Sequence, residues 1–537
     1  MTDTPNPVSP DGRLLQKASK AALWNTLFLP LLALTSLLFS VLIRRRFGLL
    51  SGVYDVMMGL GGAVQRYSAV GIPGNLPKFL PEVSASSGPA GVRQFLRHVV
   101  AIRLLLLGLL LLPLNLYAVP IARELDLGDM GPLYLRLLSG LVMARAVMNL
   151  MVATLNAFFE QFWTNLFGLI NSLLKLGAVG TALLLGYGMG GVLGALIVSA
   201  SVAALMHVLV VSSKLDRLTT TDTAHADEPP TPPTSRWLAG QGRRFLRFNS
   251  LIYVSGLLGF FSTMGFVAPG LALVRGTDEV ALFATAFNLA FTTMNLAIAG
   301  FRGLYKPIFA RLRIRNDADQ LRRAFSLVTK GQLIVLIPAG IGLVVLSGDY
   351  IPLLFGDAFR PAVPIAWVLV GSMYVATSLN LSEILLNVDE RYRQIFLIQS
   401  IPMLVAPVFL LAAHSGGLVS AAVVFGAGRV LTALVAYAFC RQLYGVRYPW
   451  AFFFKIGSLA LVMGLIVGAI QSVLGSTPVE VIMLTALGIG VFGLGIRMSN
   501  TLGPDEIDLL KRSGLPGRKW AVALLARRHV ASPPQDR

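Results

Sequence analysis

The sequence predicts an all-α polytopic membrane protein, on the evidence of its composition, its long apolar runs and the placement of its basic residues. Of 537 residues, 55% are hydrophobic and 13% are charged, and the mean hydropathy is +0.71. A water-soluble protein of this length needs a more polar surface. The formal net charge of +19 would suggest nucleic acid binding in a soluble protein. Here the basic residues cluster between apolar spans, so they indicate membrane orientation, and no nucleic acid partner is predicted.

Runs of roughly 20 apolar residues predict about 14 transmembrane helices. Their approximate limits are 22–43, 52–74, 99–121, 133–156, 163–186, 190–212, 248–270, 280–301, 331–349, 363–387, 394–413, 417–440, 450–472 and 478–496. An even number places both termini on one side, where the connections hold roughly 32 Lys and Arg residues against about 6 on the other side. Both termini are therefore predicted to be cytoplasmic. Arg44, Arg45 and Arg46 violate this bias; either the first span is tilted or these arginines fold back into the protein.

An internal repeat predicts how these spans are grouped. GVYDVMMGLGG (52–62) resembles ALFATAFNLAF (281–291), and GGVLGA (190–195) resembles GGLVSA (416–421), at offsets of roughly 226 to 231 residues. The predicted organisation is an amino-terminal lobe of six spans (1–211), a flexible cytoplasmic linker rich in Thr, Pro and Asp (212–244), a second lobe of six spans (245–445), and two extra spans with a basic tail (446–537). Residues 306–330 predict a helix on the cytoplasmic membrane surface. Two parallel lobes around a central cavity are typical of transporters that work by alternating access.

These segments also resemble a known family. The stretches WNTLFLPLLALTSLLFSVLIRRRFGLLSGVYDVMMGL, GIPGNLPKFLPE and PLLFGDAFRPAVPIAWVLVGSMYVATSLNLSEILLNVDERYR are similar to polysaccharide-biosynthesis transporters of the multidrug/oligosaccharidyl-lipid/polysaccharide flippase superfamily. The resemblance covers spans 1 to 12, and some members have two extra spans. It implies flipping of a lipid-linked glycan on a polyisoprenyl phosphate or pyrophosphate across the bacterial cytoplasmic membrane. It also implies a basic residue within GIPGNLPKFLPE, which corresponds to Lys78.

Charged side chains within the spans are the candidate site. An arginine at the bilayer centre costs at least about 2.5 to 3.5 kcal/mol, so such residues face the bundle interior, form pairs or line a cavity. Arg66, Arg145 and Lys175 are central in their spans, whereas Arg103 and Arg302 are near an interface, where snorkelling to the headgroups is an equal alternative. The predicted cationic, substrate-binding cavity comprises Arg66, Lys78, Arg103, Arg145, Lys175, Arg302, Lys306 and Arg429. Such cations would offset the lost hydration of a phosphate or pyrophosphate headgroup.

Two acidic residues and three prolines complete the candidate set. Asp55 and Glu383 are either ion-pair partners of these cations or sites of proton or sodium coupling. Pro30, Pro73 and Pro77 would break or kink the first two spans and form a gate, although proline is also common in membrane helices generally.

The predicted function is a flippase for a lipid-linked oligosaccharide or polysaccharide precursor. Alternatives are a cation-coupled multidrug exporter, disfavoured by the excess of basic residues, and a membrane-embedded glycan polymerase or glycosyltransferase, disfavoured by short loops. The sequence contains no phosphate-loop motif and no cluster with metal-ligand spacing. We therefore predict no enzyme activity, no cofactor and no metal. The expected partners are the lipid-linked glycan, membrane lipids and, as candidates, polymerases or glycosyltransferases.

Overall fold

The structure, a computed structural model, describes residues 10–222, 250, 253–299, 309, 312, 317–474 and 477–499. Every regular element within these residues is a helix, which confirms the predicted all-α class. Residues 223–244 of the predicted linker, the first half of the predicted surface helix and the basic tail lie outside the described residues. The first residues of the predicted linker, from Ser212 to Asp222, continue the preceding helix.

The chain forms sixteen helices within the described residues, apart from short 3-10 turns. Their bounds are α1 Pro10–Phe47, α2 Ser51–Ala69, α3 Ile72–Leu116, α4 Ala118–Glu124, α5 Gly131–Ala157, α6 Gln161–Leu184, α7 Met189–Asp222, α8 Tyr253–Ser262, α9 Met264–Arg275, α10 Thr277–Ala297, α11 Ala318–Phe355, α12 Ala362–Ser378, α13 Leu381–Val388, α14 Tyr392–Tyr444, α15 Trp450–Gln471 and α16 Pro478–Met498.

Ten helices in the described part of the chain are long and apolar enough to cross a membrane, or up to 12 if two bent pairs, α8 with α9 and α12 with α13, each count as one span. The predicted number of 14 is not confirmed. The difference lies in two long apolar stretches, Phe28–Ala69 and Tyr392–Tyr444, each of which covers two predicted spans. The second is interrupted at Gly417, whose φ of 77° is not helical.

Packing divides the chain into two compact units. Unit 1 consists of Met1–Thr285 and Phe396–Gly428, and unit 2 of Ala286–Ile395 and Arg429–Arg537. In unit 1, α5 packs against α3 and α7, α6 packs against α1 and α7, and α2 packs against α5 and α9. In unit 2, α11 packs against α12, α15 and α16. A buried apolar cluster that includes Ile334, Met463 and Leu484 joins α11 to α15 and α16. The two extra helices are thus anchored on α11, whereas the predicted lobe boundaries and central cavity stay predictions.

The backbone carries the internal repeat independently of the side chains. Four pairs of residues with positive φ lie about 228 to 231 residues apart: Gly48 with Gly276, Gly128 with Gly356, Phe159 with Glu390, and Gly186 with Gly417. Positive φ is uncommon, particularly outside glycine, so its recurrence at the repeat spacing shows that the halves turn at equivalent places. The repeat read from apolar motifs is therefore also a repeat of backbone turns.

The predicted gate prolines occupy different structural positions. The helix of the second span ends at Ala69, and Val70 and Gly71 both have positive φ. Pro73 lies in the first turn of α3, where its missing N–H has no helical partner to lose. Pro77 lies further inside α3, and Pro30 lies within α1. The chain therefore turns at Val70 and Gly71, before the prolines.

Candidate functional site

The best-defined group of predicted site residues lies in unit 1, where α1, α2, α5 and α6 meet. These helices pack together because each presents small or apolar residues to its neighbours. Gly61 of α2, for example, faces Leu138 and Val142 of α5. Arg302 and Lys306 lie outside the described residues, as does the side chain of Lys78. Of the others, Asp55, Arg145 and Lys175 come together in this region of unit 1.

A buried ion pair joins the end of α1 to the start of α2. Arg44 Nη2 lies 3.0 Å from Asp55 Oδ2, and the side chains are 1% and 8% exposed. Arg44 Nε also donates to Thr285 Oγ1 of α10 at 2.5 Å. Arg44 therefore folds back into the protein, which is one of the two explanations offered for the violated charge bias. Asp55 is engaged by a residue that was not among the candidate site residues.

Two cations near this pair lack a carboxylate partner among the described residues. Arg145 of α5 donates to Met58 Sδ at 3.4 Å, a weak acceptor. Lys175 Nζ of α6 lies 4.2 Å from the centre of the Phe39 ring, and the Arg145 guanidinium is close enough to repel it. Such cation–π contacts are worth about 0.5 to 2 kcal/mol, less than a buried counter-ion would contribute. This pair of like charges would be stabilised by an anion.

Polar and aromatic side chains surround these two cations. Tyr54 interacts electrostatically with Arg145, and its ring packs on Phe39 with centroids 5.8 Å apart. One turn beyond Arg145, Asn149 Nδ2 donates to Gln65 Oε1 at 2.8 Å. Tyr54, Asn149 and Gln65 were not predicted, because in a sequence they are indistinguishable from the polar residues of other apolar helices.

Arg103 is buried but separate from that group. Its side chain is 3% exposed, so it does not snorkel to a membrane surface. Its Nε and Nη1 atoms have no hydrogen-bond partner among the described residues. Because a buried unsatisfied donor costs about 1 to 3 kcal/mol, and more when charged, this guanidinium is suited to bind an acceptor absent from the chain itself.

The remaining predicted residues lie elsewhere. Arg66 is exposed and donates through Nε to Gly256 O at 2.8 Å, which joins the end of α2 to α8 rather than to Arg145. In unit 2, Glu383 of α13 interacts electrostatically with Arg429 of α14. Arg66 and Arg429 therefore each have contacts of their own, within unit 1 and unit 2 respectively.

Comparisons with known proteins agree with this architecture. A family model described as "Polysaccharide biosynthesis protein" matches residues 103–364. No curated protein sequence matches the chain significantly. A lipid II flippase MurJ in an inward closed conformation is similar in structure, with a TM-score of 0.69 at 14% identity over 90% of this chain and 98% of that one.

Two solved transporters that are described as members of the MOP superfamily are also similar in structure. An inward-facing multidrug resistance MATE transporter gives a TM-score of 0.54 at 13% identity over 77% of this chain and 94% of that one. A transporter from Pyrococcus furiosus, described as having a binding pocket of reverse polarity, gives 0.51 at 14% identity over 80% and 95%. The chain therefore shares the multi-pass fold of these solved membrane transporters, as the resemblance stated from the sequence implied.

Proposed function

Because the chain has the fold of these flippases and transporters, we propose that it moves a lipid-linked oligosaccharide or polysaccharide precursor across a bacterial cytoplasmic membrane by alternating access. Its termini would be cytoplasmic, as the bias of basic residues predicts. The lipid carrier would be a polyisoprenyl phosphate or pyrophosphate, and Arg145 and Lys175 would bind its headgroup.

The observation that supports this proposal most strongly is that two cations, Arg145 and Lys175, lie close together in unit 1. Both lie within helices long enough to span the membrane, and neither has a carboxylate partner among the described residues. Charged groups at this depth are costly unless they pair or serve transport. A phosphate or pyrophosphate offers both the charge and the acceptor oxygens that these donors lack.

The repeat supports a role in binding rather than in folding. The position equivalent to Lys175 in the second half, about 231 residues further on, is Ala406, and those equivalent to Arg145 fall within residues 373–376, all of which are uncharged. The two halves therefore share their turns but not these charges. The second half therefore folds without charges at these positions. Arg145 and Lys175 are accordingly not needed to form the fold of the first half.

The other predicted cations are proposed as further contacts along the same route. Arg103 is the strongest of them, because two of its nitrogen atoms have no partner among the described residues. Arg66, Lys78, Arg302, Lys306 and Arg429 are proposed to contact the substrate in other states of the cycle, and Pro30, Pro73 and Pro77 to serve as hinge positions.

Reconstituted transport tests the proposal. The protein is placed in liposomes with a fluorescent polyisoprenyl-pyrophosphate-linked saccharide, and the fraction that reaches the opposite leaflet is followed over time. Each of Arg145→Ala and Lys175→Ala should slow transport about tenfold or more, since a hydrogen bond to a charged group contributes about 1.5 to 3 kcal/mol. Arg136→Ala is the matched control, because Arg136 is an exposed residue on the same helix as Arg145.

The outcomes separate the competing functions. Equal transport by all three variants would refute the proposed headgroup site. Transport of a cationic dye instead of the saccharide, together with resistance of cells to cationic drugs, would favour a multidrug exporter. Turnover of the saccharide into longer chains would favour a polymerase.

A further inference from the structure

Lys175 differs chemically from Arg145, its neighbour in the proposed headgroup site. A lysine ammonium gives up its proton readily when it is buried, whereas an arginine guanidinium does not. Two like charges at close range disfavour the doubly protonated state. With an anion bound between them, the same two charges are favoured. In such a site, occupation by an anion favours the charged form of a lysine.

The charged groups on the helices packed against α6 leave Lys175 as the group that can respond. Lys175 Nζ lies 4.2 Å from the centre of the Phe39 ring of α1, and Arg145 of α5 repels it electrostatically. From α1, Arg44 is paired with Asp55 of α2, so that carboxylate already has a cationic partner. Tyr54 of α2 interacts with Arg145.

From α7, His207 faces a different part of α6. Its ring lies 5.1 Å from the ring of Phe167. Phe167 precedes Lys175 on α6 by about two turns of helix, or roughly 12 Å. His207 Nδ1 bonds to Ala203 O at 2.7 Å. It therefore supplies no negative charge to the site.

We propose that Lys175 takes up a proton when the anionic headgroup binds and loses it when the headgroup leaves, so that substrate movement is coupled to proton movement. This inference rests on the proposed function. The proton comes from water and forms the third N–H bond at Nζ, and it returns to water when the site empties. The coupling group is thus a base that becomes cationic with its substrate, and not a carboxylate such as Asp55 or Glu383.

One face of α6 provides a path for this proton. Gln161 Oε1, Thr164 Oγ1 and Asn171 Oδ1 are buried and have no hydrogen-bond partner among the described residues. At helical spacing they share a face with Lys175. Unpaired buried acceptors are commonly satisfied by internal water. A column of water along this face would link Lys175 to the Gln161 end of α6, which the charge bias places toward the cytoplasm.

Proton uptake on ligand binding tests the coupling directly. The full chain in lipid nanodiscs is titrated with farnesyl diphosphate in weakly buffered solution at about pH 8, where a phosphate group is largely ionised, and a pH-indicator dye records proton uptake. The wild type should take up about one proton more per bound diphosphate than Lys175→Arg, which keeps the positive charge but cannot release a proton. Lys175→Arg should still bind.

The results distinguish this inference from the proposed function. Binding with the same proton uptake in the wild type and Lys175→Arg would overturn the inference and leave the proposed headgroup site intact. Absence of diphosphate binding by the wild type would overturn both. Affinity should weaken as the pH rises in the wild type, because the deprotonated lysine must recover a proton to bind, and it should change less in Lys175→Arg.

Cysteine accessibility tests the path. The sole cysteine, Cys440, is buried, and its replacement by Ala gives a cysteine-free background. Thr164→Cys and Asn171→Cys should react with a small charged methanethiosulfonate at least about tenfold faster than Leu173→Cys, whose side chain is exposed on the lipid-facing surface, because thiolates form in water and not in lipid. Equal rates at all three positions, or no reaction at 164 and 171, would refute the water column.

Discussion

At the residue scale, the buried Arg44–Asp55 pair makes the sharpest stability prediction. Removing one partner of a buried pair leaves an uncompensated charge and costs about 3 to 5 kcal/mol, whereas replacing both by apolar residues is often neutral. Asp55→Leu should therefore lower the melting temperature clearly, and Arg44→Met with Asp55→Leu should recover most of the loss. Melting is followed with a thiol-reactive dye, because the buried Cys440 reacts only when the protein unfolds.

An exposed pair provides the control for this prediction. Arg360 and Asp357 also form an ion pair, at 3.0 Å, but both side chains are largely exposed. Such pairs contribute about 0 to 1 kcal/mol, so Asp357→Leu should leave the melting temperature nearly unchanged. If the double replacement of Arg44 and Asp55 melts as low as Asp55→Leu alone, the pair does not act as a unit.

The same pair shows what the sequence supplied at this scale. Counting basic residues on each side of the membrane identified Arg44 as misplaced, and the bilayer cost of charge identified Arg145 and Lys175 as interior. Neither argument predicts that Asp55 pairs with Arg44 rather than with Arg145, because that choice depends on how α1 turns into α2. The sequence likewise does not predict the hydrogen bond from Arg44 to Thr285, because the two residues are more than 200 positions apart in the chain.

At the element scale, the packing of α2 on α9 and α10 depends on two glycines. A Cβ atom on Gly52 would lie 1.8 Å from the backbone oxygen of Thr277, and one on Gly59 would lie 2.8 Å from Pro269 Cδ. Because backbone and proline ring atoms cannot rotate away, Gly52→Ala and Gly59→Ala should each destabilise the protein by about 1 to 3 kcal/mol and slow transport. The melting temperature and liposome flipping measure these effects.

Gly62 on the same helix is the control for that packing. A Cβ atom there meets no atom within 4 Å, and alanine is a better helix former than glycine by about 1 kcal/mol. Gly62→Ala should therefore be neutral or stabilising. If it reduced stability as much as Gly52→Ala, loss of flexibility in α2, and not close contact with α10, would be the cause.

A different glycine effect is predicted at the break in α14. Gly417 has a φ of 77° and no atom within 4 Å of an added Cβ, so its cost on substitution is conformational alone. Gly417→Ala should destabilise the protein by about 1 to 3 kcal/mol, because a φ of 77° with a ψ of −173° is a conformation that is essentially limited to glycine. Gly457, inside α15 with equally open space and no positive φ, should instead be stabilised by alanine. The prediction is confirmed if the melting temperature falls in Gly417→Ala and rises in Gly457→Ala. Changes of the same sign in both variants contradict it.

At the scale of the whole molecule, the internal repeat could be predicted from its apolar sequence motifs. The structure shows that the backbone turns recur at the same spacing. Phe159 and Glu390 share no chemistry, yet both have positive φ at the repeat spacing, so a fold constraint maintains the turn whatever side chain occupies it. The span count was harder to predict. Apolar runs give the number of membrane crossings only where a turn separates one run from the next. A single helix such as α14 is longer than the membrane is thick, so its length alone does not give the number of crossings.

The length of α14 predicts how often this helix crosses the membrane. At 1.5 Å per residue, the 53 residues of α14 would extend about 80 Å if straight, far beyond a hydrocarbon core of about 30 Å. We therefore expect α14 to cross the membrane twice, with its turn at Gly417 on the outer side. In the Cys440→Ala background, Ser415→Cys should react with a membrane-impermeant maleimide in intact cells, because Ser415 lies beside that turn. Arg393→Cys, at the start of α14, should react only after the cells are opened. Both positions reacting from the same side would mean that α14 crosses once, and the predicted total of 14 spans would then be wrong.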